Sequence, residues 1–146
     1  MSKPIIVVAL DGSENSQRAV SAARDLAKAT GRELHGLYVY PWTRETSMVF
    51  TPALQASDSE VKRQRDSNAQ AMFSEAETLL GQGHRFTQRH VLMGDPAEEI
   101  LAFLEANPGA HLVLGRRGLS RIKAMLIGSV SDKVTRHARG LVTVVS

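Results

Sequence analysis

Ile5-Ile6-Val7-Val8-Ala9-Leu10-Asp11-Gly12-Ser13 reads as a buried strand that stops at a turn and opens a helix. Six consecutive apolar residues, the first four β-branched, suit a strand covered on both faces. Asp11 and Gly12 break the run, and the Ser13 hydroxyl can accept from a free N–H of a following helix. That helix is expected to reach about Ala29, with Ala19, Val20, Ala23, Leu26 and Ala27 as its stripe and Gly31 just past its end. Residues 33–40 then form a second strand, closed by Pro41. Strand, helix and strand in this order predict a parallel pair joined by a crossover.

Working outward, residues 41–56 lack periodicity, and Trp42 and Phe50 are expected to pin them to the core. Ser57-Asp58-Ser59-Glu60 has capping-box spacing and begins a long helix whose inner stripe reads Val61, Asn68, Met72, Ala76 and Leu79. Residues 86–93 mix polar and apolar side chains, as a strand near a sheet edge does. Asp95 is a natural N-cap, Pro96 suits the first helical position, and Ala97, Ile100, Leu101 and Leu104 point inward from the helix that follows. Leu112-Val113-Leu114 is a short buried strand running into Gly115, and residues 119–127 read as a short helix or turn. A helix from about Ser129 carries Val130, Val134, His137 and Ala138 on one face, and 141–145 is the last strand. Five strands alternating with four main helices predict one α/β domain over 1–146, an open parallel sheet with helices on both faces.

Composition agrees. A chain of 146 residues with 42% hydrophobic and 23% charged residues is an ordinary single globular domain. No cysteine is present, which excludes disulfides and thiolate chemistry. No apolar run approaches the roughly 18 residues of a membrane span, so a cytoplasmic location is expected. The net charge is only +3 and aromatics are 5%, with no base-stacking platform, so a nucleic-acid partner is not expected. The basic residues are unevenly placed, however. Arg116, Arg117, Arg121 and Lys123 fall in a span, 106–131, that holds no acidic residue, and their field attracts anions.

The same span carries Gly115-Arg116-Arg117-Gly118, nine further residues, then Gly128-Ser129-Val130-Ser131. Glycines just after a buried strand leave main-chain N–H groups open to close approach. If the turn needs positive φ at Gly118 and Gly128, a Cβ there is strained by roughly 1–2 kcal/mol and obstructs a ligand. Gly128-Ser129 stands at a helix start, where free N–H groups and the positive dipole end favour an anion. The Ser129 and Ser131 hydroxyls and the Arg117 fork suit phosphate oxygens. If the first and fourth strands are neighbours where strand order reverses, Asp11 faces the same crevice, and its carboxylate suits sugar hydroxyls or a divalent cation. From local sequence, Asp11-Gly12-Ser13 serves equally as a turn with a helix cap.

The Gly-x2-Gly-x9-Gly-Ser array resembles the nucleotide-binding pattern of the universal stress protein family, as do Val8-Ala9-Leu10-Asp11-Gly12-Ser13, Gly94-Asp95-Pro96-Ala97 and residues 141–145, in family order across the chain. The resemblance implies a Rossmann-like sheet in the order 3-2-1-4-5, a homodimer and ATP bound with Mg²⁺. By the same resemblance Asp11 and Val39 contact the nucleoside, while Gly115, Arg117, Gly118, Gly128, Ser129, Val130 and Ser131 hold ribose and phosphates. Arg116 and Gly140-Leu141 depart from the family's usual residues at their positions. Independently of the family, 141–145 is an uncharged, strongly β-forming edge that a second copy can pair.

Three functions follow. The leading one is a regulatory, stress-response ATP-binding module without efficient catalysis, because no general base is evident beside the cradle. The alternative is a slow ATPase or a nucleotidyl-transfer enzyme, although the P-loop signature is absent. A flavodoxin-like or receiver-type module is third, lacking the hydroxyl-rich loop or acidic cluster it requires. The five histidines show no metal-ligand spacing and are expected to be surface or packing residues.

Overall fold

The computed structural model describes residues 4–42, 58–116 and 128–146. Strands and helices alternate through them: β1 (Ile5–Leu10), α1 (Glu14–Thr30), β2 (Glu33–Pro41), α2 (Asp58–Leu80), β3 (Gln88–Gly94), α3 (Pro96–Ala106), β4 (His111–Gly115), α4 (Ser129–His137) and β5 (Val142–Val145). All pairings are parallel and the sheet order is β3-β2-β1-β4-β5, so β1 is central and β3 and β5 are edges. The chain steps from β1 outward to β3 and then returns to the other side of β1. The C-terminal ends of β1 and β4 are thereby adjacent at the reversal of strand order, as the sequence predicts.

Alternation along β1 divides the core between the two faces. Ile6, Val8 and Leu10 pack with Val20 of α1 and Phe73 of α2, while Ile5 and Val7 pack with Ile100 of α3 and Val134 of α4. Burial of each such side chain contributes about 1.5–3 kcal/mol. The local signals behave as read. Ser13 caps α1 by accepting from the Ser16 N–H at 3.1 Å, and Gly31 ends it at φ 71. Asp95 caps α3, accepting from the Glu98 N–H at 3.0 Å, with Pro96 at its first position.

Several expectations shift. The buried face of α2 is Ala69, Phe73, Ala76 and Leu80, one step from the expected stripe, and Leu79 is exposed. The phase is set by β2: Gly36 has no side chain, and the Phe73 ring fills that space so closely that a Cβ would lie 2.8 Å from it. Phe86 belongs to the core rather than to β3, and meets Phe73 edge to face. Phe103, not Leu101, completes the inner face of α3, and His137 of α4 is exposed while Ser131 is buried. Pro41 is the last residue of β2, paired with Gly94. Trp42 stacks near Tyr40 and donates its N–H to the Gly94 carbonyl at 3.1 Å, whereas Phe50, Ser57 and 119–127 lie outside the described residues. No described helix is long and apolar enough to cross a membrane.

Sheet register also joins two histidines that are 55 residues apart in sequence. His35 Nδ1 lies 3.0 Å from His90 Nε2, and His35 Nε2 lies 3.1 Å from Glu33 Oε2. A carboxylate only accepts, so His35 donates to Glu33 and must accept from His90. His90 also packs edge to face on Phe103. Burial, and then the neighbouring His35, hold the His90 imidazole below its usual range. The unfolded chain therefore takes this proton more readily, and stability is lost as pH falls from about 6.5 through the folded value. The melting temperature is expected to drop between pH 7 and pH 5. His90→Gln, which keeps a donor and cannot protonate, should flatten that slope in a pH series of thermal melts; an unchanged slope would assign it elsewhere.

Candidate functional site

A cavity of about 470 Å³ opens beyond the C-terminal ends of β1, β2 and β4. It is within the size range of small-molecule sites. Asp11, Val39, Gly115, Gly128, Ser129, Val130 and Ser131 all line it. Residues separated by more than a hundred positions in sequence are thus gathered by the single reversal at β1 and β4. Arg117 and Gly118 lie outside the described residues.

One wall is apolar, made by Leu37 and Val39 of β2, Ile100 of α3, Leu114 of β4 and Met72 of α2. The N-terminus of α4 borders the same cavity. Gly128 has no side chain to cap the helix, and the first helical bond runs from the Asp132 N–H to the Gly128 carbonyl at 2.8 Å. The N–H groups of Ser129, Val130 and Ser131 therefore have no intrahelical acceptor, and all three residues border the cavity. Gly128 is held from behind, donating its N–H to the Arg116 carbonyl at 2.7 Å, while the Arg116 N–H donates to Val145 at 2.7 Å. The cradle is anchored to both β4 and β5.

Three details revise the sequence reading. Gly128 sits at φ −69, ψ 157, extended backbone open to any residue, so positive φ is not the reason for this glycine. The gap at Gly115 is occupied by Asn15 of α1, whose backbone carbon is 2.8 Å from where a Cβ would stand. That glycine allows α1 to close on the sheet. Ser131 is buried and its hydroxyl donates to the Gly115 carbonyl, fastening α4 to the end of β4. Its side-chain proton is thus committed to the fold rather than available to a ligand.

Asp11 combines both readings that local sequence left open. Its Oδ1 accepts from the Ser13 N–H at 2.9 Å, forming the turn before α1, and Ser16 Oγ accepts from the Asp11 N–H at 3.2 Å. Its Oδ2 has no protein partner among the described residues, and the side chain is half-buried at the cavity edge. Gly12, at φ 81, makes the turn and leaves room for the Met72 side chain, 3.0 Å from where a Cβ would stand.

Tyr38 and Asn68 also line the cavity and were not anticipated there. Burial pushes the Tyr38 phenol up, and the neighbouring Asn68 side chain pulls it the other way. A polar residue in the expected apolar stripe of α2 was the available signal: Asn68 faces the crevice rather than the core. Among the described residues lining the cavity, Asp11 is the one carboxylate and no histidine is present. No group of three or more metal-binding side chains occurs among the described residues.

The chain matches the model of the universal stress protein family over residues 4–146. It belongs to that family. A universal stress protein of Thermus aquaticus is 30% identical over 133 residues, spanning 91% of each chain. Among solved structures, a universal stress protein in complex with cAMP superposes with a TM-score of 0.68 at 24% identity, over 99% of this chain and 98% of the other. One from Archaeoglobus fulgidus in complex with dAMP also gives 0.68, at 20% identity and over the full length of both chains. These likenesses carry the same five-stranded parallel fold.

Proposed function

We propose that the crevice binds an adenine nucleotide, with ATP as its ligand, and that the protein serves as a regulatory stress-response module rather than an efficient enzyme. The observation that carries this reading is the N-terminus of α4: Ser129, Val130 and Ser131, whose N–H groups have no intrahelical acceptor, border the same cavity as an apolar wall and a carboxylate with one oxygen unbonded among the described residues. Such a helix end offers an anion site of known kind. The wall of Val39, Ile100 and Met72 suits a flat heteroaromatic base, and Asp11 Oδ2 suits ribose hydroxyls. Mg²⁺ is usually held by one or two carboxylates together with substrate phosphates, so Asp11 alone is an adequate protein ligand for it. The two family members solved with cAMP and dAMP support the adenine choice.

Binding without rapid turnover fits the residues. A hydrolase needs a group to activate water, and beyond Asp11 the described lining holds neither carboxylate nor imidazole. Asp11 is itself engaged on one oxygen by the Ser13 N–H. The slow ATPase and nucleotidyl-transfer readings predict phosphate or pyrophosphate release at many turnovers per protein.

Edge strand β5 is the proposed seam of a homodimer: Val142–Val145 are only half-buried, and the neighbouring Leu141 is 59% exposed. Sedimentation at twice the chain mass checks this.

Calorimetry with Mg-ATP tests the central reading. At a ligand concentration a hundred times Kd, stabilisation of about 2.7 kcal/mol is expected, which raises the melting temperature by about 5–10 °C in a domain of this size. Asp11→Asn should weaken Mg-ATP more than it weakens uncomplexed adenosine. Absence of both heat and thermal shift would overturn the proposal.

A further inference from the structure

Arg24, Lys28, Arg32 and Arg85 converge at the opposite pole of the sheet from the crevice. They rim a cleft of about 300 Å³ between the end of α1, the start of β2 and the loop joining α2 to β3. Glu33, at its edge, begins β2, while Pro41, at the crevice, ends it. At about 3.3 Å per residue the two places are about 26 Å apart, too far for one nucleotide to occupy both.

The charges in this cleft are not balanced. Arg24 is engaged by Asp25 at 3.3 Å and by the Leu79 carbonyl, and Glu33 is engaged by His35. Lys28, Arg32 and Arg85 have no carboxylate in ion-pair range among the described residues. Set against these three cations is one carboxylate, Glu33 at the cleft edge, so the recess carries an excess of about two positive charges. Lys28 in the last turn of α1 complements that helix dipole. The ends of α1 and α2 together supply only about one further negative charge, so the recess stays positive. The field of Arg32 extends as far as His111 at the start of β4, where, after burial, it is a cause of that imidazole's lowered pKa.

We propose that this cleft is a second anion site, distinct from the crevice, which takes a compact polyphosphate bearing two or more phosphoryl groups. Guanidinium forks match phosphate oxygens two at a time, and a compact polyanion answers the local excess within the volume available. A cleft of about 300 Å³ holds a small ligand, whereas the charge of an extended polymer would lie mostly outside it.

Inorganic tripolyphosphate is the probe, titrated by calorimetry and by ¹⁵N NMR at about 150 mM salt, where diffuse surface attraction is screened within about 8 Å. Wild type should bind, with amide shifts at Gly31, Arg32 and Thr87. Arg32→Glu with Arg85→Glu should lose at least tenfold in affinity. Lys28→Glu with Arg85→Glu, both at exposed positions, should lose a similar factor and covers the chance that half-buried Arg32 matters to folding. Ser129→Asp, in the crevice, should stay within threefold of wild type. No binding by wild type, or shifts confined to Ser129–Ser131 with the loss falling on Ser129→Asp, would overturn the second site. So would preference for a long single-stranded nucleic acid or an acidic peptide over tripolyphosphate, since that describes an open basic surface.

Discussion

Replacing Ser129 by aspartate is expected to weaken Mg-ATP binding tenfold or more while leaving the protein as stable as before, or slightly more so. The two effects have one cause. Position 129 is the first residue of α4 and is exposed, with Gly128 providing no side-chain cap. A carboxylate placed there meets the positive end of the helix dipole and its free N–H groups, worth about 0.3–1 kcal/mol to the folded state. A phosphate proposed for the same place would face that carboxylate instead. Two unit charges 4 Å apart at an effective dielectric of about 20 repel by about 4 kcal/mol. Even if salt and rearrangement remove more than half of this, the remainder exceeds the 1.4 kcal/mol that corresponds to a factor of ten. Adenosine carries no phosphate, so its affinity should change little. Calorimetry with both ligands, beside a thermal melt, separates the outcomes. Equal losses for ATP and adenosine would mean a disturbed cavity. Undiminished ATP binding would place the phosphates away from α4.

The parts of the fold that could be read from sequence are those set by neighbours in the chain. Ile5–Leu10 is apolar on both faces because both faces are covered, and Ser13, Gly31 and Asp95 announce helix ends through contacts within five residues. The gathering of Asp11 with Gly115 and Ser129 followed from strand order, which the family resemblance provided and the pairing of β1 with β4 bears out. What escaped depends on three-dimensional register. The His35–His90 pair exists only because β2 and β3 align as they do. The face of α2 is fixed by the empty place over Gly36, and this turns Asn68 and Met72 toward the crevice. Gly115 was legible as a special position, but for a different reason. Its missing side chain admits Asn15 of α1, a neighbour one hundred residues away in sequence.

That difference makes Gly115→Ala the most damaging single methyl in the described sheet, although its backbone angle is ordinary. Gly115 is absent from the positions with positive φ, so alanine incurs no conformational penalty there. The new Cβ would stand 2.7 Å from Asn15 Cβ and 2.8 Å from the Asn15 carbonyl carbon. Carbon atoms prefer about 3.5–4.0 Å, and one of these partners is backbone that no rotamer change can withdraw. Either α1 lifts from the sheet or β4 moves away from it. Overpacking of this kind typically costs about 1–3 kcal/mol, and a backbone clash belongs at the upper end. At about 2–4 °C per kcal/mol, the melting temperature should fall by about 6–12 °C. Nucleotide affinity should fall with it, because Ser131 ties α4 to the Gly115 carbonyl and must follow β4. Gly31→Ala provides the contrast: its φ of 71 is left-handed, yet nothing lies within 4 Å of the added carbon. Strain there is limited to about 1–2 kcal/mol. Thermal melts of the two variants should therefore rank Gly115→Ala below Gly31→Ala, and only Gly115→Ala should disturb the crevice. The opposite ranking would show that α1 is not seated against the end of β4.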